Sequence, residues 1–254
     1  MRREITAEDS ARFSAAMAQV MEKEQTHEGI GRLSEKKLHL TLKYFYQPDD
    51  SFHEQKIGPF VADAVTAAGI VEIQTSNYGN LRRKLEAFAP LVSVTVVCPI
   101  PHRKTVTWIN TEDGSLSKET KSTKIGNFLE AFWELAHIQD CLLLPNVKFL
   151  ILLADVRDYR YLNGWGKLKK RGSTRCERVP VALVDSYELG SLTDYLALLP
   201  QDLPPVFTRK ALVAALGKQV RDPDSVLYVM QKIGALKRVG KQGNSFLYEK
   251  TEIQ

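Results

Sequence analysis

Two acids on successive short apolar runs are the residues of this chain best placed to do chemistry. Asp63 stands inside Phe60-Val61-Ala62-Asp63-Ala64-Val65, and Glu72 stands with Gln74 inside Ile70-Val71-Glu72-Ile73-Gln74-Thr75, with Gly69 breaking the chain between them. Apolar, β-branched runs on either side of a glycine predict a hairpin. The period of two places Glu72 and Gln74 on one face while Val71 and Ile73 pack on the other, so a carboxylate from each strand can meet over one point. A buried carboxylate is costly unless it is paired, hydrogen-bonded or ligating a metal, and two aimed at one site need a shared cation or a shared proton. The expected occupant is a divalent metal. The competing reading, two solvated acids on an exposed sheet face, is the ordinary state of strand acids.

The elements that would hold these acids are legible on both sides. Leu81, Leu85 and Phe88 recur at helical spacing, and the apolar, β-branched run Leu91 to Val97 that follows predicts a strand buried on both faces. A helix between two such strands predicts a right-handed crossover. Upstream, Gln47-Pro48-Asp49-Asp50 ends a helix that begins near Ser34, because the residue before a proline is pushed out of the helical region. Ser51 then opens a short helix carrying Glu54. The expected order is helix, strand, strand, helix, strand.

A helix acid (Glu54), a strand acid (Asp63), an acid-x-polar triplet (Glu72-Ile73-Gln74), then a helix and a buried strand: this resembles the core of the PD-(D/E)xK nuclease superfamily over residues about 50 to 110. The resemblance implies that Asp63 and Glu72 ligate magnesium, or manganese, and that Glu54 supports the metal or a water. The position of Gln74 normally carries a lysine. Glutamine cannot supply that positive charge, and Lys84, on the next helix beside Arg82 and Arg83, is the candidate substitute, since a four-carbon stem can reach back towards the sheet edge. Equally, Lys84 reads as a solvated lysine on a helix face.

The remainder of the chain bounds the function. At 254 residues, with 44% apolar and 26% charged residues, it can fill a core with an appended module. No apolar run approaches 18 residues and the basic Met1-Arg2-Arg3 start leads to polar sequence, which predicts a cytoplasmic protein without membrane contact. Cys98, Cys141 and Cys176 are odd in number and far apart, and read as buried thiols. Thr6 with Asp9 caps a first helix over residues 5 to 25. His102-Arg103-Lys104 reads as the basic tip of a hairpin between Val94–Val97 and Thr105–Ile109, residues 111 to 127 as a loop, Phe128 to Leu144 as one amphipathic helix with Trp133 in the core, and Val147 to Ala154 as a buried strand.

Two stretches suggest a polyanionic partner. The glycine-containing segment with Lys167, Lys169, Lys170 and Arg171, flanked by Tyr161 and Trp165, suits a nucleic-acid contact loop and suits an exposed charged loop equally well. After the linker-like Pro200-Gln201-Asp202-Leu203-Pro204-Pro205, a capped helix over Arg209 to Leu216, a second over Ser225 to Ile233 and a basic-tipped hairpin resemble a winged helix-turn-helix domain. Residues 203–254 hold nine Lys and Arg against four acids, and residues 1–202 hold 26 of each, so the net +5 of the chain lies in this segment. The expectation is an α/β fold (α+β, mixed sheet): an N-terminal helical region (1–50), a nuclease-like core with helices on both faces (51–200) and a winged-helix domain (203–254). The activity that the resemblance implies is that of a magnesium-dependent endodeoxyribonuclease, expected to hold DNA through Arg209, Lys210, Lys237, Arg238 and Lys241, with a homodimer left open. The alternative is a non-catalytic DNA-binding or regulatory protein on a degenerate core.

Overall fold

The apolar runs read in the sequence become strands of one mixed sheet, and the helical stretches cover its two faces. The computed structural model describes residues 1–26, 37–162, 174–217, 220 and 222–252. In chain order come β1 (Arg2–Glu4), α1 (Ala7–Thr26), α2 (Lys37–Tyr46), β2 (His53–Ile57), β3 (Phe60–Thr66), β4 (Gly69–Ile73), α3 (Arg82–Phe88), β5 (Val94–Ile109) and β6 (Thr120–Lys121). There follow α4 (Phe132–Leu135), β7 (Val147–Tyr161), β8 (Thr174–Leu189), α5 (Leu192–Leu196), β9 (Val206–Thr208), α6 (Arg209–Leu216), α7 (Pro223–Lys232), β10 (Leu236–Gln242) and β11 (Ser245–Lys250).

The large sheet runs β1-β8-β7-β5-β4-β3-β2, with β6 paired to β5. Strands β4, β5 and β7 are parallel neighbours and the flanking pairs are antiparallel, so the fold is mixed α+β. The hairpin predicted around Gly69 is present, with Ala64 opposite Val71 and Thr66 opposite Gly69. Gly69 is required there: its φ is +126°, and a Cβ would lie 2.2 Å from the Ser93 carbonyl oxygen. The crossover from β4 through α3 to β5 buries Leu81, Leu85 and Phe88, the residues whose spacing predicted the helix.

One face of the sheet packs on α1 and α2. Thr6 and Asp9 form the expected cap, the Asp9 amide donating to Thr6 Oγ1 (3.0 Å) and the Thr6 amide to Asp9 Oδ2 (3.2 Å). Phe13, Ala16 and Val20 of α1 and Leu38, Leu42 and Phe45 of α2 join Val71, Ile73, Val97 and Leu152 in one cluster. The other face carries α3, the 128–141 segment and α5. Its cluster continues without a break into the C-terminal residues, joining Phe132 and Leu135 to Val226, Val229 and Met230 of α7. Those residues also have their own three-stranded sheet, β10-β11-β9. No described helix is long and apolar enough to cross a membrane.

Several local expectations are corrected. Residues 94 to 109 form one continuous strand, not a hairpin; the basic triplet His102-Arg103-Lys104 sits on a bulge, where the His102 ring and the Arg103 amide both bond Asp155 Oδ1 (2.9 and 3.0 Å). The sequence signal for a turn was the run of polar residues, and a bulge satisfies the same polarity without reversing the chain. The helix expected over 128–144 is split into 3₁₀ turns (Phe128–Ala131, Ala136–Cys141) around the short α4, and Ile138 leaves helical geometry at φ −130°. Trp133 is 58% exposed, not core, and Cys176 is exposed while Cys98 and Cys141 are buried.

Candidate functional site

The acids meet where β3 peels away from β4. Beyond the pair Ala64–Val71 the two side chains take over the bonding: the Asp63 amide donates to Glu72 Oε1 (3.2 Å) and the Ile73 amide donates to Asp63 Oδ2 (2.8 Å). Each carboxylate therefore spans the gap that the other strand has opened. Glu72 is 1% exposed, and its second oxygen receives Lys84 Nζ from the first turn of α3. From the opposite side His39 of α2 brings Nε2 to 3.4 Å from Asp63 Oδ2.

Helix α3 can deliver Lys84 because the chain reverses between β4 and the helix within a few residues. Asn77 takes φ +57°, a left-handed conformation that asparagine tolerates, and a 3₁₀ turn at Tyr78–Leu81 leads directly into the helix. Leu85 and Phe88 anchor its inner face, which leaves Lys84 beside the edge of β4.

The pair of acids is electrostatically split. Burial raises the Asp63 carboxyl, but the hydrogen bond and charge of His39, the Ile73 amide and Lys84 together hold it below the usual range. Glu72 is pushed up to about 7 by burial and by the negative charge of Asp63, with Lys84 offsetting part of that rise. One carboxylate thus stays ionised while the other holds a proton near neutrality, the state expected of two acids sharing one place. Hard oxygen donors of this kind fit a cation that keeps several of its own waters, as magnesium does. Among the described residues, no group of three or more His, Cys, Asp or Glu is gathered for a metal, so any further ligand would have to come from backbone or water.

The remaining expected site residues fall in different places. Glu54 is not on a helix. The short 3₁₀ turn covers Asp50–Phe52, and Glu54 lies on β2 at φ +48° with an exposed side chain that accepts from Lys43 Nζ (3.1 Å). The expected cap moves from Ser51 to Asp49, whose Oδ1 accepts from the Ser51 amide (2.9 Å), and the turn it opens ends two residues before the acid. Gln74 donates its amide to the Ser76 carbonyl and stays off the acids, while its own backbone amide bonds the Val97 carbonyl (2.9 Å). Lys167, Lys169, Lys170 and Arg171 lie outside the described residues. Arg209 is exposed and is held bidentately by Asp224 (2.5 and 2.6 Å). Lys210, Lys237, Arg238 and Lys241 are exposed, and Arg238 and Lys241 stack on the Phe246 ring at 4.4 and 4.9 Å.

Sequence reasoning missed His39 and the buried Lys43. Both sit on the apolar helix Lys37–Tyr46 four residues apart, hence on one side of it. Polar residues at that spacing inside an otherwise apolar helix were the available signal.

Comparison with known proteins places the chain without assigning it an activity. A family model described as "Domain of unknown function (DUF8091)" matches residues 36–190, and the chain belongs to that family. A protein of Treponema pallidum (strain Nichols), described as "Uncharacterized protein", is 36% identical over 114 residues, which cover 44% of this chain and 45% of that one. The match thus spans less than half the length of that curated relative. No solved structure matches the chain.

Proposed function

We propose that this member of the DUF8091 family is a metal-dependent nuclease of PD-(D/E)xK type that hydrolyses DNA phosphodiester bonds, with residues 203–254 acting as a winged helix-turn-helix module that holds the DNA. What carries the reading is one observation: Asp63, Glu72 and Lys84, from two strands and the following helix, converge at the point where β3 leaves β4. The order β9-α6-α7-β10-β11 and the exposed cations of β10 support the second half of the reading.

Asp63 and Glu72 would hold a magnesium ion through their carboxylate oxygens. When bound, such an ion stabilises charge developing on the phosphate and lowers the pKa of a bound water. The chain's own residues would do the rest. Lys84, in contact with Glu72, would supply to a phosphate oxygen the positive charge that Gln74 lacks. His39 orients Asp63 through Nε2 and keeps it ionised. Glu72, raised by burial and by the charge of Asp63, would have to be ionised to act as a ligand.

The alternative, a regulatory DNA-binding protein on a degenerate core, draws support from the Lys84–Glu72 pair, which already neutralises the buried carboxylate. Calorimetry with magnesium or manganese, joined to cleavage of duplex DNA, separates the two. The wild type should bind the ion and cleave, and Asp63→Ala and Glu72→Ala should do neither. Lys84→Ala should cost about 2–4 kcal/mol in activation free energy, in line with other lost electrostatic groups. Cleavage that survives in Asp63→Ala rejects the site, and a wild type that binds duplex without binding a divalent ion favours the regulatory reading.

A further inference from the structure

Strands β5, β7 and β8 run on together to residues 109, 161 and 174. On this extension a single acid, Asp158, is 0% exposed and collects three arginines. Arg178 holds it bidentately, Nε to Oδ1 at 2.6 Å and a terminal nitrogen to Oδ2 at 2.9 Å. Arg160 donates to Oδ2 at 3.2 Å, and Arg175 approaches the same oxygen only to 4.0 Å. Lys104, half-buried, is pushed below its usual pKa by burial and then by the charge of Arg178, and has no carboxylate within ion-pair distance among the described residues.

Four cations therefore face one carboxylate. The other acids nearby are committed elsewhere: Glu177 Oε1 accepts from the amides of Lys37 and Arg178, Glu119 pairs with Arg157 at 3.4 Å, and Glu130 pairs with Lys124 at 2.6 Å. A purely structural role would need Arg178 alone, since its fork already satisfies both Asp158 oxygens. Arg175 and Lys104 add repulsion in a partly desolvated place, an arrangement that is stable at low cost only if an anion joins it. Guanidinium forks beside an ammonium suit the several acceptor oxygens of a phosphate group.

We propose that Lys104, Arg160, Arg175 and Arg178, oriented by the buried Asp158, form an anion site for a phosphate group. Under the reading given above the phosphate belongs to a DNA strand, and the inference rests on that reading for the source of the anion only. Nothing in it depends on Asp63 or Glu72.

The test uses the full chain and the variant Lys104→Gln/Arg175→Gln, which leaves the Arg178–Asp158 fork in place. Two probes distinguish the sources: a duplex oligonucleotide and inorganic pyrophosphate. The variant should bind its probe about ten-fold more weakly, and for the duplex the log–log salt slope should fall by about 0.9, for the one phosphate no longer neutralised. It should also unfold at the same or higher denaturant concentration than the wild type, because repulsion has been relieved; a merely structural role predicts lower stability. Weaker binding of the duplex assigns the site to a nucleic-acid strand, and weaker binding of pyrophosphate alone to a free phosphate compound. Unchanged affinity for both probes, or a wild type that binds neither, overturns the proposal. A wild type that binds duplex through these residues but never cleaves it leaves the site standing and removes the nuclease reading. Cleavage alongside unchanged binding by the variant does the reverse.

Discussion

Replacing Lys84 by methionine tests whether the buried ion pair is what decides the charge state of the candidate site. Glu72 is 1% exposed, and its carboxyl is raised from 4.5 to about 7 even with Lys84 beside it. Because the folded pKa lies above the unfolded one, the folded chain keeps a proton between pH 4.5 and about 7 that the unfolded chain has released, so stability falls as pH rises through that window. At about 1.4 kcal/mol per pH unit, this group costs the wild type about 3 kcal/mol by pH 8 relative to acid conditions. Asp63 is lowered, so its contribution is present above its ordinary value of 3.8, is lost only in more acid solution, and does not bear on a comparison of pH 6 with pH 8. At pH 6 Glu72 carries its proton, and Lys84→Met should remove little more than a hydrogen bond, about 1 kcal/mol. At pH 8 the wild type has released the proton, whereas Glu72 of the variant, raised further without Lys84, keeps it; the one pH unit between about 7 and 8 adds about 1.4 kcal/mol, for a cost of about 2 kcal/mol. Glu72→Gln/Lys84→Met should recover most of that loss and show no pH dependence from this pair. Urea unfolding of the wild type, both single variants and the double variant at the two pH values gives the cycle. An equal cost of Lys84→Met at pH 6 and pH 8, or no recovery in the double variant, would refute the reasoning.

Three further outcomes are expected. Lys210→Ala/Lys237→Ala/Lys241→Ala should weaken duplex binding and lower the log–log salt slope by about 0.9 for each phosphate that is no longer neutralised, whereas Arg209→Ala, whose guanidinium is held by Asp224, should leave the slope unchanged; an equal change in both variants contradicts this. Gly69→Ala should destabilise the chain by about 3 kcal/mol or more in denaturant titration, since it combines a strained φ with a Cβ 2.2 Å from a backbone oxygen; a loss below about 1 kcal/mol would show that the hairpin shifts freely. Arg178→Ala should cost about 2–3 kcal/mol in the same titration by removing the fork from the buried Asp158, which keeps Arg160 on Oδ2, and Arg178→Ala/Asp158→Asn should restore part of it; no restoration would mean that the arginine acts through packing alone.

The hairpin around Gly69, the helix of Leu81, Leu85 and Phe88 and the C-terminal succession of two helices and a hairpin are written in local sequence, because periodicity and cap chemistry act over a few residues and survive the absence of tertiary information. The convergence of Asp63, Glu72 and Lys84 was legible for the same reason: hairpin register and a short crossover bring them together from within 22 residues of one another. Where local rules gave two acceptable answers, the tertiary structure chose. Polar residues 102–104 fit a turn or a bulge, and pairing along β7 selected the bulge. The Asp-Asp-Ser cap chemistry before Glu54 fits a helix or a single turn; Asp49 caps a single turn, and pairing of β2 with β3 cuts it short. His39 meeting Asp63, and Asp158 collecting Arg160, Arg175 and Arg178, each depend on elements that the chain brings together only through the whole sheet; the spacing of those residues along the sequence carries no trace of the meeting, because nothing local fixes how α2 lies on β3 or how β7 is registered against β8.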